Sequence, residues 1–339
     1  MKNILIGMNQ LFIAVLIITL LICCKKQAPQ TPQQIETQPF VSSENKETFE
    51  YALPPKEEPI QVYIVGTDGV AVYWLNGEEN ILPCSSSNSG ALGVAASGSN
   101  IYIVGRDGDE AVYWLNGIQV VLPKSSSERA WAEAIAISGT DVYIVGGDGD
   151  DAVYWLNGIQ VVLSKSSQRI RASAITISGS DVYIVGWDGY DAVYWLNGIQ
   201  VVLPKSSERA DISAIAVSGS DVYIIGSDGK NAVYWLNGIQ TILSESARGA
   251  NIAISGTDIH IVGEDLTINE IVYWHNGKQL VLPSEKPDMV WPTAIVVSGS
   301  DVYITGYNSG NAVYWLNGSL ITLPQTTWRA VPSDILILR

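Results

Sequence analysis

Cysteine, histidine, phenylalanine and methionine are all scarce in this chain of 339 residues, at three, two, three and three copies. Two of the cysteines, Cys23 and Cys24, are adjacent near the N-terminus. Only Cys84 falls in the remainder, which excludes a disulfide framework and leaves Cys84 to be read as an exposed spare thiol. His260 and His275 are too few for a histidine-rich metal cluster or a His-dependent triad, so neither a metal nor a cofactor is expected. Basic residues are scarce as well. Nineteen Lys and Arg against 34 Asp and Glu give a formal charge of -15, without the basic stripe that nucleic acid or an anionic lipid surface requires. The longest uncharged apolar run, Leu11 to Cys24, is fourteen residues. As a helix it would span about 21 Å, short of a bilayer core of roughly 30 Å.

That run is preceded by Lys2 and followed by Lys25 and Lys26, which fits a secretory signal over 1–24. Leu21-Ile22-Cys23-Cys24 resembles a bacterial lipoprotein signal, in which a leucine three residues ahead of a cysteine directs cleavage and the cysteine is acylated. The resemblance implies acylation at Cys24, with Cys23 as the small residue before it. An ordinary cleaved signal and an uncleaved N-terminal anchor are the alternatives. Residues 25–60 are rich in Gln, Pro, Glu and Thr, have no apolar period and read as a disordered tether. Flexible chain of this length has an end-to-end distance on the order of 30 Å.

From residue 61 onward the chain repeats itself. The hexapeptide VYWLNG begins at Val72, Val112, Val153, Val193, Val233 and Val313, with VYWHNG at Val272. A second motif, VYIVG or a relative, ends at Gly66, Gly105, Gly146, Gly186, Gly226, Gly263 and Gly306, at spacings of 37 to 43 residues. One unit contains four apolar stretches (AIAIS, VYIVG, AVYWL, IQVVL) separated by SGTD, Asp-Gly and Asn-Gly turn signals. Asn-Gly and Asp-Gly tolerate positive φ and favour hairpins, so each unit is a four-stranded antiparallel meander. Its strands are apolar almost continuously, so both faces must be covered by stacking units.

Four strands at a period near forty define a β-propeller blade. The fold expected is all-β: a seven-bladed propeller over 61–339. The chain enters on a VYIVG strand with no AIAIS strand before it, and SDILIL at 333–338 is an AIAIS equivalent with nothing after it. Residues 335–338 are therefore expected to complete the first blade and close the ring. The alanine-rich AIAIS strand suits the crowded axis. IQVVL, followed by Pro83, Pro123, Pro204, Pro283 and Pro324, suits the outer edge. The tryptophan of each VYWLNG is assigned to packing between blades.

The string AIAVSGSDVYIIG at 214–226 resembles the repeat of bacterial SBBP-type β-propeller proteins, and more loosely that of propeller lipoproteins from Gram-negative and spirochaete-like bacteria. The resemblance covers 61–338 and rests on strand and turn residues. It implies the fold and a cell-envelope location, and it carries no catalytic residue. The repeat-terminal Trp-Asp pair of WD repeats and the Asp-box of sialidases are absent.

Because the blades are nearly identical, positions that differ between them are not demanded by the scaffold. Two columns vary on one face. The residue after VYIVG is Thr67, Arg106, Gly147, Trp187, Ser227, Glu264 or Tyr307. The residue three before the AIAIS alanine is Gly90, Trp131, Arg171, Asp211, Arg248, Trp291 or Val331. Exposed Trp and Arg make binding hot spots, so Trp131, Trp187, Trp291, Arg106, Arg171 and Tyr307 form the candidate site, at the mouth of the central channel. The acidic stretches 107–110 and 148–151 lack the ligand spacing of a calcium loop and read as hairpin turns, partly balanced by Lys124, Arg129, Lys165 and Arg169.

The function expected is a non-enzymatic, lipid-anchored envelope protein: a monomer, attached to a membrane through its N-terminus, whose propeller binds an envelope protein or a glycan. One alternative is a polysaccharide hydrolase or lyase working through loop carboxylates. Another is a structural or antigenic repeat protein.

Overall fold

The computed structural model of the chain describes residues 59–164, 170–284 and 289–339. The expectations for the signal and the tether, at 1–58, and for Lys165 and Arg169 fall outside the described residues. No helix among the described residues is long and apolar enough to cross a membrane. Within the unit Glu57–Arg339 the described residues form 28 strands in seven four-stranded antiparallel sheets, a seven-bladed β-propeller.

Blade three shows why the sequence folds this way. Its strands, Ala130–Ser138, Asp141–Asp148, Asp151–Leu156 and Ile159–Ser164, pair in chain order. Asn157 and Gly158 turn the third strand into the fourth with φ of 51° and 81°, the two positive angles of a type I′ hairpin. The Asn157 side chain then braces the neighbouring turn. Its Oδ1 accepts from Val142 N–H at 2.9 Å and its Nδ2 donates to Asp141 at 2.9 Å. The same brace recurs at Asn197, Asn237 and Asn317, which explains why SGSD and Asn-Gly vary so little from blade to blade. In the first strand Glu133 is an extra residue, a bulge between Ala132 and Ala134. Opposite it stands Gly146, where any Cβ would collide with the Trp131 carbonyl oxygen, so the last residue of VYIVG has to be glycine.

The first strands of successive blades touch one another and line the axis, as the small side chains require. The fourth strands are outermost and leave Ile118, Ile159, Ile199 and Ile239 exposed. Between blades lie the seven tryptophans of the third strands, 0–1 % exposed. Trp155 packs on Val104 and Ala111 of blade two as well as on Ile144 and Val153 of its own blade. Burial of 150–250 Å² at about 25 cal/mol/Å² contributes about 4–6 kcal/mol per indole.

Each of these indoles also carries a donor that is costly to bury unbonded; five of the seven bond the incoming connection, and Trp195 Nε1 is buried without a partner among the described residues. Trp155 Nε1 donates to the Pro123 carbonyl at 2.7 Å, on the chain arriving from blade two. Trp114, Trp235, Trp315 and Trp74 reach Pro83, Pro204, Pro283 and Pro324 in the same way. Where serine replaces that proline, at Ser164 and Ser244, the outer strand runs six residues instead of four, because the missing N–H no longer stops it.

Ring closure follows the expected route and goes further. Val331–Leu338, longer than the predicted 335–338, pairs antiparallel with Gln61–Asp68, with Ile64 opposite Ile335 and Thr67 opposite Val331. It also touches Ser89–Ser97 and Val290–Ser298, the first strands on either side. Removing 331–339 strips blade one of its inner strand. Calorimetry should show the melting temperature falling by at least about 10 °C, and an unchanged melt would mean that the ring holds without this strand.

Candidate functional site

The hairpins alternate in direction, so the propeller has two unlike faces. The SGSD and Asn-Gly turns occupy one. The opposite face carries the loops between second and third strands and the connections from blade to blade. Its acidic residues are partly structural. Asp148 accepts from Ser125 N–H and Oγ at 2.6 and 2.9 Å, from Ser126 N–H and Oγ, and from Gln160 Nε2 at 2.9 Å. Asp107 and Asp228 hold Ser85-Ser86 and Ser206-Ser207 similarly, and Asp68 holds Thr326-Thr327. Burial pushes the Asp148 carboxyl up, but the hydrogen bonds from Ser126, Gln160 and Ser125 outweigh it and hold the group at about 2. Lys124 and Lys205 brace the same loops through Glu110 and Asp191, at 3.0 and 2.7 Å.

The two variable columns are cross-strand partners. Trp131 faces Gly147, Arg171 faces Trp187, Trp291 faces Tyr307, and Gly90 faces Arg106. A Cβ at Gly147 would enter the Trp131 ring, so the glycine lets the indole lie flat on the sheet. Arg171 sits between two indoles, 5.4 Å from the Trp131 ring and 5.3 Å from the Trp187 ring. Its guanidinium also pairs with Glu133, the bulge residue of blade three. The result is a layered Trp-Arg-Trp wall across the junction of blades three and four.

This wall lines a cleft of about 840 Å³, together with Asp150, Ile170, Tyr190 and Arg209. Three of the six candidate residues, Trp131, Arg171 and Trp187, meet in it. Trp291 and Tyr307 stack on each other in blade seven, centroids 4.1 Å apart, with Trp291 outermost and Tyr307 only 5 % exposed. Arg106 stands on blade two and does not line the cleft. Cys84 is half-buried, against the expectation of an exposed thiol, because it lies in the connection that Asp107 anchors.

Sequence reasoning missed Tyr190, Arg209 and Trp328. Tyr190 follows an Asp-Gly turn, where other blades have Asp150 or Lys230, so its variability was the available signal. Arg209 has counterparts in Arg129 and Arg329 and so resembles scaffold. Trp328 is 71 % exposed beside Arg329. Of the chain's eleven tryptophans, seven pack between blades; the other four, Trp131, Trp187, Trp291 and Trp328, all lie on the cleft face.

No family model matches the chain, and no curated protein matches it. Among solved structures it is similar to virginiamycin B lyase from Staphylococcus aureus, 14 % identical with a TM-score of 0.55, over 70 % of this chain and 84 % of that one. A catalytically inactive variant of that lyase with quinupristin gives 14 % identity and a TM-score of 0.56, over 73 % and 91 %. At this identity the likeness shows a shared propeller fold.

The Asp148 anchor sets an acid dependence. Its carboxyl sits below the ordinary 3.8, so its stabilisation is complete above about pH 4 and is lost as pH falls towards 2. Asp148→Asn should cost about 1–2 kcal/mol at pH 7, and wild type and variant should converge near pH 2. Denaturant melts that differ by the same amount at both pH values would contradict this.

Proposed function

We propose that the chain is a non-enzymatic, lipid-anchored binding protein of the bacterial cell envelope, and that its aromatic face takes a glycan. The observation that carries this reading is the one-sided placement of every tryptophan the scaffold does not use. Sugar rings offer flat C–H faces edged with hydroxyls. Indole and phenol plates match the faces, and a few convergent polar groups, here Asp150 and Arg209, match the edges. The Trp-Arg-Trp wall is already assembled, so little side-chain freedom is lost on binding.

Binding is better supported than turnover. Glycoside hydrolysis generally uses two carboxyl groups across the scissile bond. Among the described residues that line the cleft the one carboxylate is Asp150, while Asp148 is committed to loop anchoring and Glu133 to Arg171. The envelope assignment rests on the signal-like run ending at Cys24, the tether of 25–60 and the SBBP-type repeat resemblance.

A panel of envelope oligosaccharides measured by calorimetry tests the glycan reading. Trp131→Ala and Trp187→Ala should each weaken binding by at least about tenfold, with the sugar recovered uncleaved. Shortened oligosaccharide products would favour the hydrolase or lyase, and an envelope protein captured equally by wild type and both variants would move the site elsewhere. Labelled fatty acid should enter the wild-type chain and not Cys24→Ser; label retained by that variant would place the anchor at Cys23.

A further inference from the structure

The two histidines of the chain are neighbours. His260 and His275 are directly opposite each other in the second and third strands of blade six, rings 4.8 Å apart, at the end of the blade that faces away from the cleft. In the other blades this cross-strand pair is Tyr against Leu, as Tyr143 opposite Leu156. The scaffold therefore does not call for imidazole at either position, and blade six has replaced both partners of a single pair. Beside them stands Asp258, the turn aspartate that accepts from Asn276 Nδ2 at 2.8 Å. Its carboxylate lies 3.7 Å from His275 Nε2.

We infer that Asp258, His260 and His275 form a binding site for a divalent transition-metal ion, zinc in the first instance. The ligand atoms of the three residues lie within 4.8 Å of one another. Two imidazoles and one carboxylate suit zinc, copper or nickel rather than magnesium or calcium, which want oxygen alone. Zinc bonds of about 2 Å would draw the ligand atoms to roughly 3.3 Å apart. His275, whose side chain is 45 % exposed, can supply that movement.

His260 is the fixed member. It is 6 % exposed, and its Nδ1 is engaged with the Tyr273 hydroxyl at 2.6 Å, so Nε2 is the nitrogen left for a cation. An oriented second contact of this kind accompanies most metal-binding histidines. Three protein ligands leave a fourth position for water or for a group from another molecule. The site is independent of the cleft on the opposite face.

The sister blades supply the variant that tests it. His260→Tyr with His275→Leu restores the pair that the other blades carry, so the blade keeps its packing. Tag-free full-length protein in detergent is equilibrated with zinc sulfate at pH 7.5, and bound metal is measured by mass spectrometry. Wild type is expected to hold one more equivalent than the double variant and to melt higher with zinc than without it, while the variant's melt stays unchanged. Zinc held by Cys23, Cys24 or Cys84 stays the same in both proteins and does not count. Tyr273→Phe should keep the site and weaken it by about 10–100-fold. Equal zinc in wild type and double variant, or no zinc-dependent melt in wild type, would overturn the assignment.

Discussion

Blades one, two, three and five are each joined to the blade before by a buried latch. An indole between the sheets donates its N–H to the backbone of the incoming connection, and an aspartate a few residues upstream holds the next residues of that connection. At blade three the indole is Trp155 on Pro123 and the aspartate is Asp148 on Ser125 and Ser126. At blade one the same two roles fall to Trp74 and Asp68, which catch Pro324, Thr326 and Thr327 from the far end of the chain. A device that elsewhere joins sequence neighbours here closes the circle. The innermost strand of blade one can pair with Gln61–Asp68 only because the chain has been delivered to that point.

This latch also divides the molecule by function. It uses residues that are almost invariant from blade to blade, and the Asn-Gly brace does the same on the other face. What remains free to vary is the cross-strand pair at the start of each first strand and the end of each second. Blade three uses that freedom for Trp131 over Gly147, blade four for Arg171 beside Trp187, and blade seven for Trp291 on Tyr307. The far ends of the sheets show the same logic once, in blade six, where a Tyr-Leu pair has become His260 and His275. In both cases a rigid repeat lets a single cross-strand pair change chemistry without disturbing its neighbours.

Blade number, strand order, ring closure and the packing role of the seven repeated tryptophans were legible in the sequence, because Asn-Gly turns and a period near forty leave few alternatives. The variable columns were legible as columns, but their register was not. A β-bulge at Glu133 shifts the first strand by one residue, and without it counted, Trp131 and Gly147 cannot be set opposite each other. Arg209 was hidden by its resemblance to Arg129 and Arg329. Trp328 lay outside the columns compared, in the connection held by Asp68. His260 and His275 are fifteen residues apart and looked isolated. Setting the last glycine of the VYIVG-type strand, Gly263, against the first valine of VYWHNG, Val272, would have paired them, since register on one pair of partners fixes it along both strands.

A closed ring requires the closure strand to be as firmly held as the middle of the ring. Native-state hydrogen exchange reads this directly, amide by amide. Protection in Gln61–Asp68 and Val331–Leu338 should match that of the inner strands of blades three to five, with exchange only through global unfolding. Exchange of the two terminal strands at much lower free energy, while blades three to five stay protected, would show an open row of blades and contradict the ring.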